Sequence, residues 1–146
     1  MWLLQLLLLI AALCQGGNTQ EYILQSSFSG PSFFDNFNFW DIGDPTFGYV
    51  HYLSRSDAEA AHLINSSAST AKWGVDYTSG LDPYANLGRM SLRLTSKQTW
   101  MHGLFVLDLA HMPHTVCGVW PAFWTLGTGK QWPEAGGSGL TVTDTA

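Results

Sequence analysis

The chain has 146 residues, which is enough for one ordinary domain with a buried core, so a second domain is not required. Only 12% of the residues are charged while 14% are aromatic, a balance typical of an extracellular β-rich protein rather than a cytosolic helical one. The formal net charge of -5, with only six Lys and Arg residues, leaves no basic face for a phosphate backbone, so nucleic acid is not an expected partner.

The first feature along the chain is an apolar, Leu-rich segment at residues 2–13. It is too short to span a bilayer, which needs roughly 20 residues, but it matches the apolar part of a secretory signal peptide. The small residues that follow predict a signal peptide over 1–17, with the mature chain beginning between Gly17 and Gln20. A buried helix is the alternative, because no Lys or Arg precedes the segment. We therefore expect a secreted, extracellular protein with no membrane segment after cleavage.

Two other features bear on secretion. Asn65-Ser66-Ser67 is an N-glycosylation sequon, so Asn65 is a candidate glycan attachment site. If Cys14 leaves with the signal peptide, Cys117 remains alone, which is unusual in an oxidising compartment.

The mature chain reads as short strands separated by turns. The aromatic segment 22–40 predicts an edge strand, a turn and a packed loop, because no helical spacing of three and four is sustained. Asp44-Pro45-Thr46 predicts a turn, and residues 48–53 predict the next strand. Ser56 is expected to cap a short helix over 57–60, whose Asp and Glu complement the helix N-terminus.

Residues 90–95 form the clearest predicted strand, because apolar and polar residues alternate strictly. Met90, Leu92 and Leu94 share one face, and Arg93 lies on the opposite face, where it can reach a groove. The alternative is that Arg93 is a surface cation on a solvated strand face.

Two more strands are predicted at 104–109, where an apolar run indicates a strand covered on both sides, and at 119–126. Strands joined by Gly, Pro and Ser turns, without a long helix, favour an all-β, antiparallel β-sandwich. Residues 138–146 are small and Thr-rich and predict an irregular tail.

The densest aromatic stretch is 117–137, where Trp120, Trp124 and Trp132 are interspersed with Gly and Pro. Rigid indole faces held open by such a backbone suit sugar rings, which combine C–H faces with hydroxyl edges. The alternative is that these tryptophans only fill a sandwich core.

Other chemistries find little support. His111 and His114 flank a proline without further ligands nearby, so we expect a turn there and no metal site or cofactor. No nucleophile elbow is present. Glycoside hydrolysis needs two facing carboxyl groups, and Glu134, the acid closest to the tryptophans, has no partner. No catalytic residue is predicted.

Several motifs together resemble the fungal laminarinase-like members of glycoside hydrolase family 16. The matching segments occur in the family order and are D-P-T-x-G-x-V-x-Y at 44–52, G-R-x-S-L-R-L at 88–94, H-M-P at 111–113, C-G-x-W-P-A-F-W at 117–124 and W-P at 132–133. They span the mature chain but correspond to about the N-terminal half of a complete family domain, here 18–137.

This resemblance implies a β-jelly-roll, concanavalin A-like sandwich whose concave sheet binds glucan. It also implies retaining hydrolysis of β-1,3 or mixed β-1,3/1,4 glucans. By matching position, Trp124 and Trp132 resemble aromatic platforms beside the cleaved bond, with Trp120 in the same element, and Arg93 resembles a contact to sugar hydroxyls. The implied partner is a β-glucan polysaccharide bound by a monomer.

The chain departs from the family pattern after Gly137. The family places E-x-D-x-x-E there, carrying the nucleophile and the acid/base, whereas this sequence continues Ser-Gly-Leu-Thr-Val. We therefore expect this polypeptide to be inactive, because both the covalent step and the proton transfer lack their carboxylates. A non-catalytic β-glucan-binding protein is the alternative reading.

Overall fold

The computed structural model describes residues 21–112, 114, 117, 121–125 and 127. The predicted signal peptide over 1–17 and the predicted tail over 138–146 lie outside this range. None of the helices in the described part of the chain has the length and apolar character needed to cross a membrane.

Short strands are the most numerous elements among the described residues. In chain order the elements are a 3₁₀ helix Gly30–Asn36, β1 Phe37–Phe39, β2 Val50–Tyr52, α1 Arg55–Ala60, β3 Ile64–Ser66, β4 Ala71–Trp73, β5 Arg89–Ser91 and β6 Leu94–Ser96. The predicted strand at 48–53 is confirmed as β2, and the predicted turn at Asp44 is confirmed by a hydrogen bond from Phe47 N–H to the Asp44 carbonyl (3.0 Å).

The strands pair into small sheets of two. β1 and β6 are antiparallel with Phe39 opposite Leu94, and β3 and β4 form an antiparallel hairpin. β2 and β5 are parallel, which departs from the purely antiparallel pairing expected from the sequence. The connection between them contains α1 and the β3–β4 hairpin, and a long connection of this kind is what parallel pairing requires.

The prediction of a packed loop within 22–40 is wrong for Gly30–Asn36, because these residues form the 3₁₀ helix. Pro31 lies at its beginning, where a missing N–H costs nothing. A 3₁₀ helix repeats every three residues, so Phe34 and the following Phe37 lie on one side, and both are buried. Such a spacing lacks the mixed intervals of three and four that indicate an α-helix in a sequence.

The short helix exists, but its predicted cap is wrong. α1 begins at Arg55, and its cap is Ser54 instead of Ser56. The Ser54 hydroxyl accepts a hydrogen bond from the backbone N–H of Asp57 (3.2 Å). Asp57 lies in the first turn, as expected, whereas Glu59 forms an ion pair with Arg55 (3.0 Å).

The predicted burial of the apolar residues in 90–95 is confirmed, because Leu92 and Leu94 are 1% and 0% exposed and Met90 is half-buried. Ser91 and Arg93, predicted for the opposite face, are buried as well, so this segment is covered on both sides. The single predicted strand is divided into β5 and β6, so the two leucines belong to different core clusters. Half-buried Phe39, Ile64 and Trp73 pack against both clusters and join them.

The strand predicted at 104–109 is wrong. Leu104 and Val106 are 62% and 80% exposed, and residues 104–109 form no strand. Apolar character predicts burial only where a partner covers the segment, and none of the described strands pairs with it. Of the strand predicted at 119–126, residues 121–125 are described and have no regular structure, whereas 119, 120 and 126 lie outside the described residues.

Candidate glucan-binding site

Arg93 lies between β5 and β6, and its side chain is almost completely enclosed. The residue is 7% exposed, so the alternative of a surface cation on a solvated strand face is wrong. An isolated charge at such a position is unfavourable, so its neighbours have to compensate for the water it has lost.

Two indole rings provide part of that compensation. The Arg93 guanidinium carbon lies 4.7 Å from the ring centroid of Trp40 and 5.6 Å from that of Trp124. Both distances are within the range of cation–π attraction, which is strengthened when the cation is desolvated. The structure therefore brings together two predicted site residues, Arg93 and Trp124, and adds Trp40.

Trp40 is fixed by the strand pairing. Its backbone N–H donates to the Arg93 carbonyl (2.9 Å), which continues the β1–β6 ladder by one residue. Its indole Nε1–H donates to the carbonyl of Gly43 (3.2 Å). Sequence reasoning missed Trp40 as a site residue because its proximity to Arg93 depends on which strand pairs with β6.

A carboxylate completes the surroundings of the guanidinium. Asp44 Oδ1 lies 3.8 Å from Arg93 Nη1, and each side chain is 9% exposed. The second oxygen, Oδ2, accepts hydrogen bonds from Thr46 Oγ1 (2.5 Å) and from the Gly48 N–H (2.8 Å). Burial by itself raises the pKa of Asp44, but the hydrogen bonds from Thr46 and Gly48 and the charge of Arg93 outweigh burial and lower this pKa below 3.8.

Two buried N–H groups in the site lack a hydrogen-bond partner among the described residues: Arg93 Nε and Trp124 Nε1. Buried donors are rarely left unpaired in native proteins. Trp124 is half-buried, so it is not sealed inside a core. Flat apolar faces combined with N–H donors suit a ligand with C–H faces and hydroxyl acceptors.

The same geometry does not provide acid/base catalysis. A general acid has to hold its proton near the working pH, whereas the lowered pKa keeps Asp44 ionised there. Asp44 is held by Arg93 and by its own turn, so it acts as a structural anion.

Trp120 and Trp132 lie outside the described residues, as does Glu134. Asn65 is exposed on β3. His111 and His114 are exposed, and within the described ranges no three His, Cys, Asp or Glu side chains come together in a way that could hold a metal ion.

Comparison with known proteins gives a consistent result. Residues 37–138 match a family model described as "XgeA-like, catalytic GH16 domain". The chain is 46% identical over 119 residues to a protein of Aspergillus clavatus named a probable endo-1,3(4)-β-glucanase. These 119 residues are 81% of this chain but only 18% of that relative.

Solved structures show the same relationship. A β-1,3-glucosyltransferase of glycoside hydrolase family 16 superposes with a TM-score of 0.71 at 44% identity, covering 78% of this chain and 38% of its own. Laminarinase 16A from Phanerochaete chrysosporium was solved with 6-O-glucosyl-laminaritriose in both donor and acceptor sites. It superposes with a TM-score of 0.65 at 34% identity, and the match covers 77% of this chain and 37% of the laminarinase chain. These similarities confirm the predicted all-β jelly-roll class, and the chain spans well under half the length of each of these proteins.

Proposed function

Because this chain belongs to glycoside hydrolase family 16, among its XgeA-like catalytic domains, we propose that it is the N-terminal portion of a secreted β-glucan endohydrolase. The substrate is a β-1,3 or mixed β-1,3/1,4 glucan, cleaved with retention of configuration in the complete enzyme. The observation that carries the proposal is Arg93 enclosed by Trp40 and Trp124, with two buried N–H donors in the same site that lack a partner in the described part of the chain.

In this proposal the residues divide into two roles. Trp124, together with Trp120 and Trp132, provides flat surfaces against which sugar rings stack. Arg93 donates hydrogen bonds to sugar hydroxyls, while Asp44 keeps the guanidinium in place.

The polypeptide of 146 residues is proposed to bind glucan without cleaving it. Retaining hydrolysis needs a nucleophile and an acid/base about 5 to 5.5 Å apart. After Gly137 the sequence reads Ser-Gly-Leu-Thr-Val in place of the family's paired glutamates. Neither the glycosyl-enzyme intermediate nor protonation of the leaving group is then supported.

Calorimetric titration of the full chain with laminarin tests the binding proposal. Trp124→Ala is expected to weaken binding about tenfold, because a stacking surface and an N–H donor are lost. Trp100→Ala is the matched control, since Trp100 is also half-buried but packs against Phe28 and Phe105. Equal losses in both variants, or no binding by the wild type, would contradict the proposed function.

A reducing-sugar assay on the same material tests the catalytic part. No release of reducing ends from laminarin is expected from the chain. Release that persists after purification to homogeneity would show that other residues provide the acids.

Secretion and glycosylation complete the proposal. We expect cleavage of the signal peptide near Gly17, an N-linked glycan at Asn65, and a monomer that needs no cofactor. The side chain of Asn65 is exposed on a hairpin strand, which leaves it accessible to the modifying enzyme. Sequencing the N-terminus of the secreted product tests the cleavage site.

A further inference from the structure

Phe47 has a backbone conformation that its side chain disfavours. Its φ angle is 60°, in the left-handed region that glycine normally occupies, and the residue is 97% exposed. A large aromatic residue that contributes nothing to the core while straining its backbone has no structural benefit in the fold. Strain of this kind is concentrated at functional sites.

The other non-glycine residue with positive φ in the described part of the chain has an ordinary explanation. His62 (φ 56°) follows the end of α1, and its N–H donates to the Glu59 carbonyl (3.1 Å). A left-handed residue immediately after a helix satisfies the last carbonyls of that helix. Phe47 follows no helix; it closes the turn that begins at Asp44, which accounts for its left-handed backbone but not for an exposed aromatic side chain at that position.

The turn that carries Phe47 is held by the carboxylate and the backbone carbonyl of one residue, Asp44. Asp44 Oδ2 accepts hydrogen bonds from Thr46 Oγ1 and from the Gly48 N–H. The Phe47 N–H donates a hydrogen bond to the backbone carbonyl of Asp44 (3.0 Å). A Cβ at position 48 would lie 2.7 Å from Asp44 Oδ2, so a side chain there would push the carboxylate away from its hydrogen bonds. The exposed ring is therefore carried by a fixed turn.

The same carboxylate joins this turn to the candidate glucan site. Asp44 Oδ1 faces the Arg93 guanidinium at 3.8 Å, while Oδ2 fixes the Phe47 turn. The position of the turn and the position of Arg93 therefore depend on one side chain. The exposed Phe47 ring thus belongs to the same turn as Asp44, the residue that faces Arg93.

We propose that Phe47 is an additional stacking surface of the glucan site and that Asp44 is a positioning residue shared by Phe47 and Arg93. This proposal rests on the proposed function. The occupant is a β-glucan chain long enough to contact Arg93 and Phe47 together, so Phe47 contributes to the affinity for long chains and not for short ones.

The test compares laminaribiose and laminarihexaose by calorimetric titration of the full chain. Phe47→Gly removes the ring and suits a positive φ, so the variant is expected to fold as the wild type does. Its affinity for the hexaose should fall about fivefold while its affinity for the biose stays unchanged. Phe47→Trp, which restores a ring, should bind the hexaose as tightly as the wild type. Tyr77→Ala is the matched control, because Tyr77 is 85% exposed in another loop.

The outcomes separate the two proposals. If the wild type binds the hexaose and Phe47→Gly binds it equally well, or if Tyr77→Ala loses as much affinity, the role of Phe47 is refuted and the proposed function stands. If the wild type binds neither sugar, both are refuted.

Discussion

Replacement of Asp44 by Asn tests the electrostatics of the site. The carboxylate lies 3.8 Å from the Arg93 guanidinium, and each side chain is 9% exposed. Unit charges at that separation attract by about 4 kcal/mol at an effective dielectric constant of roughly 20, before the cost of desolvation is subtracted. Asn also weakens the charge-assisted hydrogen bonds from Thr46 and Gly48. Since desolvation offsets much of the attraction, the free energy of unfolding should fall by about 1–3 kcal/mol near neutral pH.

The effect should depend on pH with a defined sign. Because the pKa of Asp44 is lower in the folded chain than its ordinary value of 3.8, this residue stabilises the fold above that value. The contribution is lost as the pH falls through the lower folded pKa. Hydrogen bonds from Ser79 and Thr78 also lower the pKa of Asp76, so wild type and variant both lose stability in acid. Only the difference between them reports on Asp44.

Urea denaturation followed by tryptophan fluorescence, at about pH 7 and at a series of pH values below 3.8, measures that difference. The curves of wild type and Asp44→Asn should be separated at neutral pH and converge in acid. Asp41→Asn is the control, because Asp41 is an exposed carboxylate nearby in sequence, and it should shift stability by less than about 0.5 kcal/mol. Identical midpoints at neutral pH, or a separation that persists unchanged in acid, would refute the assigned role of Asp44.

Three further substitutions test the core, the cation and the glycan. Leu94→Ala should lower the free energy of unfolding by about 2–5 kcal/mol because Leu94 is 0% exposed, whereas Leu104→Ala, at 62% exposure, should change it by less than about 0.5 kcal/mol; similar urea midpoints for both would contradict the assigned core. Arg93→Lys keeps the charge but loses the planar fork, so laminarin affinity measured by calorimetry should fall about tenfold, and unchanged affinity would show that charge alone suffices. Asn65→Gln should abolish a mass shift on enzymatic deglycosylation of the secreted chain, and a shift that remains would place the glycan elsewhere.

The sequence predicted the parts of the fold that local patterns determine. Alternation at 90–95 correctly placed Leu92 and Leu94 in the core, but it did not predict that Ser91 and Arg93 between them are buried as well. Asp-Pro-Thr correctly predicted the turn at Asp44, whose conformation is set within a few residues.

Features that depend on distant partners were not predictable in the same way. The parallel pairing of β2 with β5 and the exposure of 104–109 depend on which strands meet, which periodicity does not encode. The helix cap was wrong because Ser54 and Ser56 are both suitable, and their hydroxyls lie 3.0 Å apart. Trp40 became a site residue only through the pairing of β1 with β6.

Heteronuclear NMR of the indole N–H groups tests most directly whether the Arg93 site binds glucan. Trp124 Nε1 has no hydrogen-bond partner among the described residues, so a sugar hydroxyl that accepts its proton should shift its resonance. On titration of the full chain with laminarihexaose, the resonances of Trp124 and Trp40 should move while that of Trp100 stays in place. Unchanged Trp124 and Trp40 resonances at saturating hexaose would contradict a glucan site at Arg93.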